Sequence, residues 1–162
     1  MKVYLGLGTN LGDKEQNLHL AIKYIEERIG NIISLSAFYT TAPWGFDSDN
    51  SFLNAAICVE TAFLPFELLD VTKSIESFLG RKRKSMQGVY ADRLIDIDLL
   101  LYEDFVISTK ELTLPHPLME QRLFVMEPLA EIAPGLLHPV LRESMLDLYK
   151  KLALYRKTNS YK

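Results

Sequence analysis

A single cysteine, Cys58, stands in the whole sequence. No disulfide can therefore close within the chain, and no zinc site can be assembled from several thiolates. Cys58 lies inside an apolar run, where a buried structural thiol is expected rather than a reactive one. No apolar stretch approaches the roughly 18 residues that a membrane span requires. The N-terminal run Met1-Lys2-Val3-Tyr4-Leu5-Gly6 turns polar before it could serve as a signal peptide. A cytoplasmic protein without a membrane partner is expected. Excess positive charge is also missing: the net charge is -3 and the pI is near 5.6, which argues against a general nucleic-acid binder. Familiar phosphate-binding loops are absent. Gly6-x-Gly8 at the first strand lacks the third glycine of a dinucleotide fingerprint, which would fall at Leu11, with Gly12 one place late. No P-loop and no protein-kinase signature occurs, so Gly6 and Gly8 read as structural.

What the chain does have is apolar mass. Apolar residues make up 48% of 162, enough for one self-supporting core, and the length fits a single domain over residues 1–162. Val3 to Leu7 reads as a first strand ending in Gly8-Thr9-Asn10. Asp13 with Gln16 marks a helix start, Leu18, Ala21, Ile22, Ile25 and Ile29 form its apolar face, and Gly30-Asn31 stops it. A second strand is expected over Ile32–Thr40, then a Pro-, Gly- and Asn-containing loop from Ala42 to Asn50, and a third strand over Phe52–Thr61. Pro65 opens a second helix with Leu68, Val71, Ile75, Phe78 and Leu79 inward, and Gly80 ends it. A charged loop from Arg81 to Asp92 precedes a strand from Leu94 to Tyr102 and a short strand from Phe105 to Ser108. Prolines restrict the remainder to short helices, with a last amphipathic helix from Ser144 and a frayed tail from about residue 155. The order strand, helix, strand, strand, helix, strand predicts an α+β fold, a ferredoxin-like antiparallel sheet with helices packed on it in three α-β-α layers.

Chemistry concentrates in Arg93-Leu94-Ile95-Asp96-Ile97-Asp98-Leu99-Leu100-Leu101-Tyr102. Alternate strand residues share a face, so Asp96 and Asp98 point the same way, with Cα atoms about 6.6 Å apart at roughly 3.3 Å per residue. Carboxylates so placed can converge on hard cations, while Ile95, Ile97, Leu99 and Leu101 take the opposite face. The alternative is a plain solvated strand face, although aspartate is poor in strands and two facing alike repel. Gly80-Arg81-Lys82-Arg83-Lys84 lies upstream and Arg93 begins the strand. Such a cationic run is often just a solvated loop. Beside paired carboxylates it matches a polyphosphate site, where carboxylates hold magnesium and arginines clamp phosphate charge. His116, in Leu114-Pro115-His116-Pro117, reads either as a structural loop residue or as part of that site, and His19 and His138 have no evident partner.

These segments resemble the 6-hydroxymethyl-7,8-dihydropterin pyrophosphokinase family over nearly the whole chain, from Gly6-Leu7-Gly8-Thr9-Asn10-Leu11-Gly12 to about Tyr149. The matches include Phe52-Leu53-Asn54-Ala55-Ala56, Arg93-Leu94-Ile95-Asp96-Ile97-Asp98, Leu114-Pro115-His116-Pro117, Arg122-x-Phe124-Val125 and Pro128-Leu129-Ala130-Glu131-Ile132-Ala133-Pro134. The resemblance implies a reaction of ATP with 6-hydroxymethyl-7,8-dihydropterin that gives AMP and the pterin diphosphate, in folate biosynthesis. It implies two magnesium ions on Asp96 and Asp98, and charge neutralisation by Arg81, Arg83 and Arg93. It implies ATP contacts from Glu76, Arg83, Arg93, Thr113, His116 and Arg122. The pterin is expected between the rings of Phe52 and Phe124, its edge read by Asn54 and the Thr41 backbone, with Pro43 and Trp44 closing the pocket. Without the resemblance, Phe52 and Phe124 read as ordinary core residues. The resemblance also makes the 42–50 and 81–92 loops covers that close over ATP, and a monomer is expected.

Two departures stand out. Tyr90-Ala91-Asp92 replaces the Trp-Gly-Pro found in many members, and Glu111 stands where some members carry an arginine. Two other classes use the same features: a nucleotidyltransferase with Asp96 and Asp98 as its metal pair, or a ferredoxin-like RNA-binding module with Phe52 and Phe124 as stacking platforms.

Overall fold

In the computed structural model, which describes residues 1–41, 51–80 and 94–159, the alternation of Val3, Leu5 and Leu7 belongs to a central strand β1 (Lys2–Thr9). β1 is flanked by the antiparallel strands β4 (Phe52–Thr61) and β5 (Asp96–Tyr102), and β2 (Gly30–Leu35) pairs with the far side of β4. The sheet order is β2-β4-β1-β5, and the short strand β3 (Tyr39–Thr41) also pairs with β4. This antiparallel sheet is the α+β arrangement expected from the order of elements. A separate hairpin of β6 (Ile107–Ser108) and β7 (Thr113–Leu114) follows β5.

Helices cover both faces. Helix α1 (Lys14–Arg28) buries Leu18, Ala21 and Ile25, and α2 (Pro65–Gly80) buries Leu68 and Ile75, against Val3, Leu5, Leu7, Ile57, Val59, Ile97 and Leu99. On the other face α3 (Leu123–Ile132) and α4 (Met145–Asn159) pack Val125, Met126, Leu129, Met145 and Leu148 on Ala56, Leu100 and Leu101. Burial of this apolar surface on both sides of one sheet is what holds the layers together, at about 25 cal/mol per Å² removed from water. Cys58 is buried on β4 opposite Tyr4, as its apolar context predicts.

Several local expectations are met and several are displaced. Asp13 caps α1 by accepting the Gln16 N–H at 3.1 Å. α1 stops as expected just before Gly30, with Ile29 as its C-cap, but the glycine serves β2, where a Cβ would lie 1.9 Å from the Glu60 carbonyl oxygen. The expected strand over 32–40 divides into β2 and β3, because Ser36 breaks the ladder: its hydroxyl accepts from the Ala56 N–H at 2.9 Å and donates to the Ala37 carbonyl. Leu101 does not share a face with Ile97 and Leu99. The β1–β5 register slips between Tyr4 and Leu5, which leaves Leu100 as an extra residue and turns Leu101 into the second core. Phe78, expected inward, is 42% exposed and packs edge-on against Tyr24, with Arg28 over both rings at 5.0 Å. α4 continues through Asn159, past the residue at which the sequence suggested fraying. Arg156 and Lys157 oppose the helix dipole there, and the Asn159 amide donates to the Tyr155 carbonyl.

Candidate active site

β5 lies at the end of the sheet path, so one side of it faces away from β1. Asp96 and Asp98 sit there opposite Gly8 and Gly6 of β1. The next strand places Asn54 opposite Gly8 and Ala56 opposite Gly6. Asn54, Gly8 and Asp96 thus form one row across three strands, and the middle position has no side chain. A Cβ on Gly8 would meet the Asn54 Oδ1 at 2.9 Å and the Phe52 Cδ1 at 3.8 Å. The glycine is a bare floor between a polar amide and a pair of carboxylates. Sequence reasoning treated it as merely structural, although glycines two apart on a strand share a face.

Glu76 reaches this edge from α2, and its carboxylate accepts the outward-facing N–H of Ile97 at 3.1 Å. Burial pushes its carboxyl up to about 8. The Ile97 N–H opposes that rise, while the negative charge and hydrogen bonding of Asp96, with the charge of Asp98, add to it. A cleft of about 340 Å³ contains Glu76, Asp96, Asp98, Thr113 and His116, together with Lys73, Lys110 and Glu111. Five residues predicted from separate segments therefore converge. The two lysines were not anticipated, and they bring positive charge to the same cleft.

His116 is held by its own backbone N–H, which donates to the Leu100 carbonyl at 2.9 Å after a cis Leu114–Pro115 bond. Burial lowers its pKa; the Pro117 carbonyl, 3.1 Å from Nδ1, raises it, and the Arg122 charge lowers it further. The ring is therefore biased toward its neutral form, with Nδ1–H donating to Pro117 and Nε2 left as an acceptor. Arg122 occupies the N-cap position of α3, and Phe124 lies in the first turn of that helix. Phe52 and Phe124 are each half-buried, so neither is the fully enclosed core residue that composition alone allows. The Asn54 amide donates to the Thr41 hydroxyl at 2.7 Å, and that residue ends β3 opposite Phe52. Pro43, Trp44, Arg81, Arg83 and Arg93, the Tyr90-Ala91-Asp92 departure and the two expected cover loops lie outside the described residues. The other histidines are structural: His19 packs on Phe38, and the His138 Nδ1 accepts the N–H groups of Val140 and Leu141.

Residues 4–134 match the family described as 7,8-dihydro-6-hydroxymethylpterin-pyrophosphokinase (HPPK). The chain belongs to this family. It is 48% identical over 138 residues to the 2-amino-4-hydroxy-6-hydroxymethyldihydropteridine pyrophosphokinase of Porphyromonas gingivalis, across 85% of this chain and 93% of that one. Identity is 43% over 145 residues with the Aquifex aeolicus enzyme of that name, across 90% of this chain and 88% of that one. With the Bacillus subtilis enzyme it is 41% over 130 residues, across 80% and 76%. A Plasmodium falciparum HPPK-DHPS crystal structure superposes with a TM-score of 0.80 at 19% identity, over 99% of this chain. That likeness concerns the fold alone, and this chain spans 45% of the solved one. The protein is thus an ATP-dependent pyrophosphokinase, and the nucleotidyltransferase and RNA-binding readings fall away.

The raised Glu76 carboxyl gives this pyrophosphokinase a signature when metal is absent. Folded Glu76 holds its proton to about pH 8, whereas the ordinary value is 4.5. Between those values the folded state binds more protons than the unfolded one, so stability must fall as pH rises through that window. The slope for one proton approaches about 1.4 kcal/mol per pH unit. Urea unfolding in EDTA at several pH values, compared with Glu76→Gln, checks this. The wild type is expected to lose stability toward about pH 8 and the variant to show a flatter profile. Parallel profiles would assign the slope to other groups.

Proposed function

We propose that this enzyme transfers the terminal pyrophosphoryl group of ATP to the hydroxymethyl oxygen of 6-hydroxymethyl-7,8-dihydropterin. The new bond joins that oxygen to the β-phosphorus. The bond between the β-phosphorus and the bridging oxygen of the α-phosphate breaks, AMP leaves, and the hydroxyl proton passes to solvent. The observation that carries this reading is the cross-strand row of Asn54, Gly8 and Asp96 beside the cleft that holds Glu76, Asp98, Thr113 and His116. A flat heterocycle held between the rings of Phe52 and Phe124 can meet the side-chain-free floor edge-on, with its hydrogen-bonding edge at Asn54 and its alcohol toward the carboxylates.

The donors on β5 suit magnesium. They are carboxylate oxygens, the hard ligands through which protein usually holds such a cation. Their charge is dense enough to help keep Glu76 protonated up to about pH 8, an imbalance a dication relieves. Among the described residues no cluster of three or more His, Cys, Asp or Glu side chains could hold a metal ion. Magnesium takes one or two carboxylates from protein and completes its shell with water and substrate phosphates. Asp96 and Asp98 would hold two such ions, which supply charge neutralisation and polarisation of the phosphate oxygens when bound.

The chain's own side chains do the positioning. Phe52 and Phe124 stack on the two faces of the pterin, Asn54 and the Thr41 backbone read its edge, and Pro43 and Trp44 close the wall. Glu76, Thr113, His116 and Arg122 orient the nucleotide and its phosphates, while Arg81, Arg83 and Arg93 neutralise charge on the transferring group. The neutral His116 ring spends its one N–H on the Pro117 carbonyl, so Nε2 donates to phosphate once the nearby negative charge has raised its proton affinity and it takes up a proton. A single catalytic domain acting as a monomer on small molecules in the cytoplasm, without nucleic acid, completes the reading. No helix among the described residues is long and apolar enough to cross a membrane.

The test is product identity. Incubation with ATP, magnesium and 6-hydroxymethyl-7,8-dihydropterin should give equimolar AMP and pterin diphosphate on separation of the nucleotides and pterins. ADP, or free pyrophosphate with AMP attached to the pterin, would mean that the bond broken has been misassigned.

A further inference from the structure

The acidic residue of α3 that closes onto β3 has no part in the reading above. Glu131 reaches back across the second face of the sheet, and its carboxylate accepts the Ala37 N–H through both oxygens, at 3.0 and 3.2 Å. The Tyr39 hydroxyl donates to the same carboxylate. These contacts fall where the edge of the sheet is interrupted. β2 ends at Leu35, Ser36 breaks the ladder, and pairing resumes at Tyr39. Without a partner from outside the sheet, the Ala37 N–H would have none in the ladder. Glu131 is the group that ties down this connection.

What the connection delivers is the amide beside the Gly8 floor. Tyr39 stands directly opposite Asn54 in the β3–β4 ladder, and two residues later the Thr41 hydroxyl accepts the Asn54 amide at 2.7 Å. The orientation of that amide thus depends on where β3 lies, and β3 is only three residues long. So short a strand has little ladder of its own to hold it. Glu131 also stands seven residues after Phe124 on the same helix. Seven residues are close to two helical turns, or about 10.5 Å along the axis, and bring both side chains to nearly the same face. One helix therefore carries an aromatic wall at one end and a clamp on the opposite wall at the other.

We propose that Glu131 is a positioning residue for the pterin: through Ala37 and Tyr39 it fixes β3, and so sets the Asn54 amide and its separation from Phe124. Glu131 touches no substrate in this scheme. The Tyr39 hydroxyl fits the assignment, since its pKa is pushed up to about 12, first by the hydrogen bond to Glu131 and then by burial. This inference rests on the proposed pterin site, and its test separates the two.

Steady-state kinetics would be run on wild type, Glu131→Ala, Glu131→Gln and Tyr39→Phe, with each substrate varied while the other saturates. Loss of a hydrogen bond to a charged group predicts that Glu131→Ala raises the pterin KM about 10-fold, with less than about a 2-fold change in the ATP KM. Glu131→Gln, which keeps an acceptor oxygen, should fall between wild type and alanine. Tyr39→Phe, which leaves the Ala37 contact in place, should move the pterin KM in the same direction by less, and it carries the test if the Glu131 variants fail to fold. A merely structural role would lower the active fraction, and hence apparent kcat, without splitting the two KM values. Equal rises in both KM values, a change in kcat alone, or no change would overturn the proposal. Absence of pterin turnover by the wild type would instead overturn the proposed function.

Discussion

Asp96→Asn and Asp98→Asn are each expected to lower kcat/KM by on the order of 10³-fold, the scale seen when a preorganised charge-stabilising group is removed, while leaving the metal-free protein at least as stable as wild type. The two halves of the expectation come from one arrangement. Both carboxylates stand on one face of β5, and the half-buried Glu76 carboxyl beside them is held protonated to about pH 8 partly by their charge. Side chains that served the fold would not be placed so as to repel one another. Neutralising either aspartate removes a repulsion from the metal-free state, so thermal unfolding in EDTA should show an unchanged or raised Tm. Activity should be lost because asparagine keeps the shape but not the negative charge that a magnesium-bound triphosphate requires. Raising the magnesium concentration should recover part of the activity if the defect is metal affinity. Variants that retain turnover within about 10-fold of wild type would remove the two aspartates from the metal site. Variants that lose activity only in proportion to a fall in Tm would make them structural.

Gly8→Ala carries the second large effect. The added Cβ would lie 2.9 Å from the Asn54 Oδ1, closer than real Cβ atoms approach, and 3.8 Å from the Phe52 ring. Asn54 has little room to yield, since it is 5% exposed and its amide is held by the Thr41 hydroxyl at 2.7 Å. The methyl group would displace the Asn54 amide proposed to read the pterin edge and would fill the space beside the Phe52 ring. Misplacement of about 1 Å at a reacting centre is worth roughly 10²-fold, and the pterin kcat/KM should fall by about that factor. The ATP KM should hardly move, because Thr113, His116 and Arg122 stand elsewhere. Gly6→Ala is the matched comparison. The nearest neighbour of its Cβ would be the buried Leu100 side chain, at an ordinary contact distance of 3.4 Å. An effect of Gly8→Ala equal to that of Gly6→Ala, or equal on both substrates, would mean that the row of Asn54, Gly8 and Asp96 is not where the pterin lies.

The sequence carried more of this architecture than of its connections. β4 and α2 have the bounds their apolar patterns and Pro65 predicted, and Asp13 caps α1 as its spacing with Gln16 required. These features are local: a strand's alternation, a cap or a proline at N1 acts over a few residues, and the physics that sets it is contained in that stretch. Gly30, Leu101 and Phe78 departed from expectation for the converse reason. Gly30 is required by the carbonyl of Glu60, thirty positions further along the chain, Leu101 is turned by a bulge that exists only in the pairing of β5 with β1, and Phe78 is drawn to Tyr24 and Arg28 of another helix.

The same division runs through the site. Sequence alone determined the fold class, the pairing of Asp96 with Asp98 on one strand face, and, through its resemblance to a family, the reaction and the residues to look for. Only the tertiary structure decided that Glu76, Thr113 and His116 share a cleft with that pair, that Gly8 is a bare floor against Asn54, and that Glu131 accepts from Ala37 and Tyr39 beside the strand whose Thr41 holds the Asn54 amide. The physical reason is range. Periodicity and capping report contacts within one element, whereas a raised carboxyl, an absent Cβ or a carboxylate across the sheet has meaning only once distant segments have been brought within a few ångströms of one another.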